Sequence, residues 1–151
     1  MKPAEFIATI GPAAQASAAV TKVPASFVVA QAALESAWGK SALTTEGRNL
    51  FGVKADSSWH GPVLMLPTRE CIKGAWCTVP ATWRKYPNWR ASIDDHAQFF
   101  INNPRYKPAF ETTDGEAFAH AVAAAGYATD PQYADKVIAV MRQHKLGDLD
   151  K

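Results

Sequence analysis

The amino-acid sequence predicts an α+β fold that is mostly α-helical, with a small antiparallel β-hairpin lobe in the middle of the chain. Charge-free or helix-periodic segments lie before residue 40 and after residue 90. Between them, short apolar runs are broken by proline and glycine, a pattern typical of short strands. The chain has 151 residues, enough for a sizeable core, so we expect a single domain over residues 1–151.

The first predicted element is an alanine-rich helix over residues 3–21. Gly11 and Pro12 interrupt it, because glycine is flexible and proline lacks a backbone N–H group. We therefore expect this segment to be split or bent there, and to pack against the next helix.

The central element is predicted to be a buried helix within residues 23–40, VPASFVVAQAALESAWGK. Residues 23–34 carry no charge and are apolar on nearly every face, as in buried helices. Pro24 is a helix-start signal and Gly39 a helix-stop signal. Glu35 then ends a core element, where loss of hydration raises a carboxyl pKa and keeps it protonated, as a general acid requires. A solvated or salt-bridged glutamate is the alternative.

The next segments predict a loop and a β lobe. The run NLFG, which contains Asn49, Phe51 and Gly52, favours a shaped loop, since glycine adopts backbone angles that other residues avoid. Residues 63–66 predict one strand. Residues 68–72 and 75–86 predict a hairpin that turns at Lys73 and Gly74, so we expect two or three exposed strands.

Aromatic residues crowd this lobe. Aromatic side chains at strand spacing more often pack than bind ligands, but four of the five tryptophans lie between residues 59 and 89. That density favours a face that stacks on sugar rings, with Trp76 and Tyr86 as predicted substrate contacts. The aromatic residues of the lobe are Trp59, Trp76, Trp83, Tyr86 and Trp89.

The rest of the chain predicts three helices. Ser92 is the predicted start of the first, which closes before Pro104. The capping pattern TDGE, from Thr113 onward, predicts a second helix that ends at Gly126. Pro131 starts the third, where apolar side chains recur at helical spacing.

Composition excludes several classes of protein. Charged residues make up 20% and the formal net charge is +2, too balanced to indicate nucleic-acid binding but compatible with an anionic polymer. No apolar run reaches the roughly 18 residues that a membrane span needs. The first residues lack the apolar stretch and cleavage site of a signal peptide. Nothing indicates more than a monomer.

Cysteine and histidine give no metal-site pattern. Cys71 and Cys77 have a spacing that is neither a zinc nor a redox motif, and the four histidines are scattered. We therefore expect no metal and no cofactor. A disulfide across the hairpin and two free thiols are both possible, because the strand register decides whether the side chains face each other.

Two glutamates are the remaining candidates for catalysis. The sequence contains no nucleophile elbow, no phosphate-binding glycine loop and no metalloprotease helix. Glu35 ends the buried helix and Glu70 lies in the first hairpin strand. Two carboxylates that face one cleft suit glycoside hydrolysis, although an exposed strand glutamate such as Glu70 is by itself common.

The ordered motifs of the chain resemble the glucosaminidase domains of glycoside hydrolase family 73, which occur in flagellar rod-assembly proteins, autolysins and phage lysins. The resemblance covers roughly residues 24–141. It implies a lysozyme-like fold and cleavage of β-1,4 glycosidic bonds in peptidoglycan, with glycan strands as the partner. The matching segments are AQAALESAWGKSAL, RNLFGVKA, TRECIKGAW, WRKYPNWRAS, PRY and GYATDPQYADKV.

The resemblance also implies roles for single residues. Glu35 falls at the position of the family's general acid, Glu70 at its hairpin acid and Tyr127 at its active-site tyrosine. Asn49, Phe51 and Gly52 match the loop that lines the substrate groove. The sequence departs from the family pattern twice: Ala37 replaces a glycine, which a helix should tolerate, and Cys71 replaces a tyrosine, so Glu70 is held differently.

We expect an endo-β-N-acetylglucosaminidase. A muramidase or lytic transglycosylase on the same fold is the alternative, and a non-catalytic wall-binding or phage-particle protein is a further one. Inverting, retaining and substrate-assisted mechanisms all remain open. We expect a compact phage endolysin, made in the cytoplasm of the infected bacterium and released by a separate holin to the periplasmic or extracellular wall.

Overall fold

The computed structural model describes all 151 residues and is mostly helical, with four short strands between the third and fourth helices. The α-helices are α1 (Pro3–Thr21), α2 (Ala25–Glu35), α3 (Ala42–Gly47), α4 (Trp89–Asn102), α5 (Gly115–Ala124) and α6 (Tyr133–Gln143). The strands are β1 (Val63–Met65), β2 (Thr68–Ile72), β3 (Ala75–Val79) and β4 (Thr82–Arg84). Two 3₁₀ segments cover Pro104–Glu111 and Leu146–Asp150.

Helix α2 forms the centre of the core, as the charge-free run predicts. Nine of its 11 residues are buried, and α1, α5, α6 and the second 3₁₀ segment all pack against it. One contiguous cluster of 25 buried apolar residues extends from this helix to both ends of the chain. None of the helices combines the length and apolarity that crossing a membrane requires.

The C-terminal end of α2 differs from the sequence prediction. The helix ends at Glu35 and not at Gly39, and Ala37 lies outside it in the left-handed region with a φ of 51°. Trp38 has a φ of 58° and Gly39 a φ of 81°, so three successive residues turn the chain sharply. The expectation that a helix accommodates Ala37 is therefore wrong. The turn is stabilised by packing of Trp38 against Phe6.

The N-terminal end of α2 is capped from the far end of the chain. Pro24 offers no side-chain cap, and the Asp150 carboxylate instead accepts hydrogen bonds from the backbone N–H and the hydroxyl of Ser26. A carboxylate at this position satisfies a free N–H group and interacts favourably with the helix dipole. The second 3₁₀ segment thus fixes one end of the helix that carries Glu35 at its other end.

Helix α1 continues through Pro12, so the prediction that the segment is split there is wrong. The helix packs along α2 and α4 and buries Gly11. Most helical stability in proteins comes from such packing and not from intrinsic propensity, which explains why one proline does not break the element.

The β lobe consists of two separate two-stranded sheets, in which β1 pairs with β4 and β2 pairs with β3. Lys73 and Gly74 both have positive φ, which confirms the predicted tight turn of the β2–β3 hairpin. The predicted strand over residues 75–86 is interrupted after Val79, at Pro80, and resumes as β4. Proline cannot donate to a strand ladder, so the break falls there.

The hairpin register decides the state of the two cysteines. Cys71 lies opposite Trp76, and Cys77 lies opposite Glu70. Neighbouring residues of a strand point to opposite faces, so the two thiols face away from each other and are free and exposed.

The last three helices lie where the sequence predicts them, with small shifts at their starts. Helix α4 begins at Trp89, where the Asn88 side chain accepts from Ala91 N, and Ser92 is a buried interior residue. Asp114 and not Thr113 caps α5. These shifts leave the apolar faces unchanged, because helical spacing and not the cap sets which side is buried.

We expect Ala37→Gly to stabilise the protein by about 0.5–1 kcal/mol. A non-glycine residue in the left-handed region costs roughly 1–2 kcal/mol, and glycine removes this strain. Glycine also loses more backbone entropy on folding, which offsets about 0.5–1 kcal/mol of the stabilisation. Urea denaturation measures the change. The matched control is Ala139→Gly at an exposed position within α6, which should lose about 0.5–1 kcal/mol. A loss in both variants would contradict the left-handed turn.

Candidate active site

A cleft of about 970 Å³ separates the β lobe from α4 and the segment before α6. Glu35 enters it from the end of α2, and Tyr127 from the segment between α5 and α6. The structure therefore brings together two of the three predicted catalytic residues. Other residues that line the cleft include Phe51, Lys54, Asp95, His96 and Phe99.

Glu35 has access to the cleft and is also withdrawn from bulk water. By surface area the residue is exposed, because α2 ends here and one side of the chain faces the open cleft. The protein around its carboxyl nevertheless raises the pKa by burial, and a hydrogen bond from Tyr133 partly opposes this effect. The pKa is the more relevant quantity for proton transfer, and it is shifted in the direction that the sequence predicts.

A chain of hydrogen-bonded side chains lies behind Glu35. The Tyr133 hydroxyl donates to Glu35 Oε1 over 3.3 Å and accepts from Gln31 Nε2 over 2.9 Å. Gln31 Oε1 lies 3.2 Å from His96 Nε2, which is 3.3 Å from the Tyr127 hydroxyl. The two ends of this chain, Glu35 and Tyr127, are the two groups that face the cleft together.

His96 is a neutral member of this chain. Burial lowers its pKa to about 3, and the nearby negative charge of Asp95 only partly opposes the effect. Its ring stacks on Phe51, with ring centroids 4.1 Å apart and planes 12° apart. Phe51 thus lines the cleft and fixes the imidazole at the same time.

Tyr127 is a protonated hydroxyl in the cleft wall. Burial raises its pKa well above the ordinary value, and the negative charge of Glu35 acts in the same direction. A phenol held in this form can donate a hydrogen bond to a substrate oxygen. This geometry fits the predicted role of Tyr127, which stays a prediction.

Glu70 lies apart from Glu35 and is paired with a cation. Its carboxylate accepts from Lys54 Nζ at 2.9 Å, and Lys54, but not Glu70, lines the cleft beside Glu35. The hairpin therefore holds the third predicted catalytic residue at the rim, through Lys54. The catalytic role of Glu70 stays a prediction.

Asp95 is a carboxylate of the cleft that sequence reasoning missed as a site residue. It accepts from Arg84 Nη1 at 2.8 Å and from the Tyr86 hydroxyl at 2.6 Å. Asp56, also in the cleft wall, pairs with the same guanidinium. An arginine bound between two carboxylates links β4, α4 and the loop that carries Asp56 in this part of the cleft wall.

Gln31 and His96 were also missed, although the sequence carries a signal for both. Gln31 is the one amide in the charge-free run, and His96 falls at helical spacing with Ile93 and Phe100 on the apolar face of α4. Polar groups on buried faces need partners. Two such groups on two core helices indicate a buried polar contact.

The residues of the predicted groove loop have two different roles. Asn49 is buried, and its side chain donates to the carbonyls of Val53 and Arg84 and accepts from Val53 N–H. Its hydrogen bonds thus hold the loop to β4, and substrate would have to displace them. Phe51 lines the cleft, and Gly52 has a φ of 66° with open space around it.

The two aromatic residues predicted to contact substrate occupy different environments. Tyr86 is buried, so its ring is not available to stack on a sugar. Its hydroxyl instead donates to Asp95, which lines the cleft. Trp76 is 66% exposed on β3 and lies outside the cleft that contains Glu35. A contact of Trp76 with a long glycan stays a prediction.

No group of three or more histidine, cysteine, aspartate or glutamate side chains is arranged to hold a metal ion. The polar groups of the cleft are instead paired with one another or aimed into it. The arrangement places a carboxyl with a raised pKa and a protonated hydroxyl in one cleft, and such groups can give a proton and donate a hydrogen bond to a bound molecule.

Comparison with known proteins finds a matching family model and related sequences. A family model described as mannosyl-glycoprotein endo-beta-N-acetylglucosaminidase matches residues 11–146. The exo-glucosaminidase LytG of Bacillus subtilis is 41% identical over 131 residues, which are 83% of this chain and 46% of LytG. The chain spans less than half the length of LytG and of two Vibrio FlgJ peptidoglycan hydrolases that it also matches.

Solved structures show the same similarity. A truncated glycoside hydrolase domain of Salmonella typhimurium FlgJ superposes with a TM-score of 0.84 at 36% identity, covering 95% of this chain and 98% of that one. The catalytic domain of the autolysin Auto from Listeria monocytogenes gives a TM-score of 0.90 at 29% identity, covering 98% and 87%. The predicted fold class is confirmed.

We expect His96 to make the protein less stable in acid. Its folded pKa of about 3 lies below the ordinary value of 6.5, so between these values the unfolded chain binds the extra proton. The contribution of His96 to the free energy of unfolding is fully present above pH 6.5. It falls as the pH falls, by about 2 kcal/mol at pH 5.

Denaturant midpoints measured between pH 5 and pH 7.5 check this dependence. The variant His96→Phe retains an aromatic ring against Phe51 and should show a weaker loss of stability in acid. The control His120→Gln, at an exposed position, should follow the wild-type profile. Parallel profiles for wild type and His96→Phe would contradict a buried neutral imidazole.

Proposed function

This chain belongs to the glucosaminidase family, glycoside hydrolase family 73, and from that premise we propose that it is a peptidoglycan hydrolase. It cleaves β-1,4 glycosidic bonds of the glycan strands, as an endo-β-N-acetylglucosaminidase. The observation that carries the proposal is Glu35, a carboxyl with a raised pKa that lines a cleft of about 970 Å³. Relatives named as a peptidoglycan hydrolase and a glucosaminidase support the substrate class.

Glu35 acts as the general acid. Its O–H bond breaks as the proton moves to the glycosidic oxygen, the bond from that oxygen to the anomeric carbon breaks, and the electron pair leaves with the departing sugar. The raised pKa matters because the group must hold a proton near neutral pH. Tyr133 restrains the carboxyl through one oxygen and leaves the other for substrate.

The positive charge that develops on the sugar ring faces a negatively charged wall. Asp95 and Asp56 line the same cleft as Glu35, each bound by Arg84, and Glu70 is paired with Lys54 of the cleft wall. A carboxylate 6.5–9.5 Å from the acid leaves room for a water and favours inversion, as a general rule for glycosidases, whereas one at about 5 Å favours a covalent intermediate. In a substrate-assisted route, Tyr127 would orient the acetamido group of the substrate.

Action at the cell wall follows from the proposed substrate. We also propose that the protein is a monomer, because the cleft is complete within one chain. The phage endolysin role and release through a holin stay predictions from the sequence.

We expect Glu35→Gln to lower kcat on purified peptidoglycan by roughly 10²–10⁴-fold, since glutamine keeps the shape but cannot give a proton. Turbidity clearing measures the rate, and thermal unfolding should show an intact fold. The matched control is Glu46→Gln, an exposed glutamate of α3 outside the cleft, which should keep full activity. Normal clearing by Glu35→Gln would remove the acid from the proposal.

Product analysis decides the bond that is cleaved. We expect mass spectrometry of released fragments to show reducing N-acetylglucosamine ends. Reducing muramic ends would indicate a muramidase instead, and anhydro-muramic ends a lytic transglycosylase. Binding to peptidoglycan without any soluble fragment would favour a non-catalytic wall-binding protein. Release of single sugars only would indicate exo cleavage, and the relative LytG is named an exo-glucosaminidase.

A further inference from the structure

A completely buried amide lies one helical turn before the acid. Gln31 has no exposed surface, although it is part of the core helix α2, whose other buried side chains are almost all apolar. Gln31 and Glu35 are four residues apart and so share a helix face. Burying an amide costs free energy unless both of its ends are hydrogen-bonded, whereas a leucine or methionine would fill this space without that requirement.

We propose that Gln31 is a positioning residue of the active site: held by His96, it fixes the Tyr133 hydroxyl as a donor to Glu35 and so orients the acid. The inference deepens the proposed function and rests on it for its catalytic meaning. Tyr133 contacts Glu35 directly, Gln31 contacts it through Tyr133, and His96 supports Gln31 from behind.

The direction of each hydrogen bond supports this role. The nitrogen end of Gln31 can only donate, and it lies 2.9 Å from the Tyr133 oxygen. Tyr133 has a single hydroxyl proton, and with its oxygen already accepting from Gln31, that proton is directed to Glu35 at 3.3 Å. A donor that is itself engaged as an acceptor in this way is a stronger donor.

The orientation of the Gln31 amide and the tautomer of His96 match each other. The oxygen end of Gln31 can only accept, so His96 Nε2, at 3.2 Å, must carry the proton that it donates. Burial and the stack on Phe51 keep the imidazole in place. A flipped amide would need the other tautomer of His96, in which Nε2 accepts, and it would leave the Tyr133 hydroxyl without a donor.

The other charged groups near Glu35 are engaged with one another. In the cleft wall, Lys54 pairs with Glu70, and Arg84 pairs with Asp56 and Asp95. From the other elements, Tyr127, Tyr133 and His96 face Glu35 or its neighbours and are uncharged. The pKa of Glu35 is accordingly set by burial, which raises it, and by the Tyr133 hydrogen bond, which lowers it.

The test is an NMR titration of the Glu35 carboxyl carbon in the full chain without substrate. We expect Tyr133→Phe to raise the midpoint by about 0.7 pH, because the ionised form loses one hydrogen bond. Gln31→Met, which is close to isosteric, should raise it in the same direction by a smaller amount. In the Tyr133→Phe background, Gln31→Met should add nothing, since it acts through Tyr133.

An unchanged midpoint in Gln31→Met, or an equal further rise in the Tyr133→Phe background, would overturn the proposal. If Gln31→Met does not fold, His96→Phe provides the second variant: it frees the oxygen end of Gln31 and should also raise the midpoint, and no change would count against the inference. The matched control is Ser92→Ala, which removes a buried hydrogen bond from α4 outside the chain of contacts and should leave the midpoint at the wild-type value.

Activity measurements separate this inference from the proposed function. The alkaline limb of kcat/KM should move upward with the midpoint in Gln31→Met, because it reports loss of the acid's proton in the free enzyme. A purely structural role of Gln31 would lower the rate without moving this limb, and so would overturn the inference. A wild-type protein that releases no fragments but shows the expected titration shifts would refute the proposed function and leave the positioning role intact.

Discussion

The partial desolvation of one carboxyl group at the end of a buried helix is the constraint on which the rest of the site depends. A glutamate inside α2 would be fully buried and unable to reach a substrate, whereas one on a solvated loop would have an ordinary pKa. The abrupt left-handed turn after Glu35 meets both needs, because it stops the core helix where the cleft begins. Asp150 holds the opposite end of α2, at Ser26, and the apolar contacts of the helix fix its position within the core.

The wall behind Glu35 is polar, although it is built inside an apolar core. Gln31 and His96 are both buried, and each satisfies the other, so the cost of desolvating them is offset by hydrogen bonds of defined direction. Helices α2, α4 and α6 each contribute one member of the chain between Glu35 and Tyr127. Packing of these three helices thus sets the geometry of the acid, which links the stability of the core to the chemistry of the cleft.

The β lobe contributes charge and not core. Its two small sheets bury few side chains, but they supply Arg84 and Glu70, and with the preceding loop they supply Lys54 and Asp56. Together with Asp95 of α4, these groups place three carboxylates and two cations beside the cleft. The glycoside hydrolase domains that superpose on this chain share its fold, in which the helical core carries Glu35.

The sequence by itself determined the buried helix, its acid, the hairpin turn and the late helices, since each follows from local periodicity, charge or turn chemistry within a few neighbouring residues. It also placed Tyr127 near the site, through the family resemblance. Only the tertiary structure decided that Ala37 lies outside the helix, that the thiols point apart, that Glu70 binds Lys54, and that Asp95, Gln31 and His96 belong to the cleft and its support. These features depend on distances between residues that are far apart in the chain, and on strand register, neither of which a local pattern specifies.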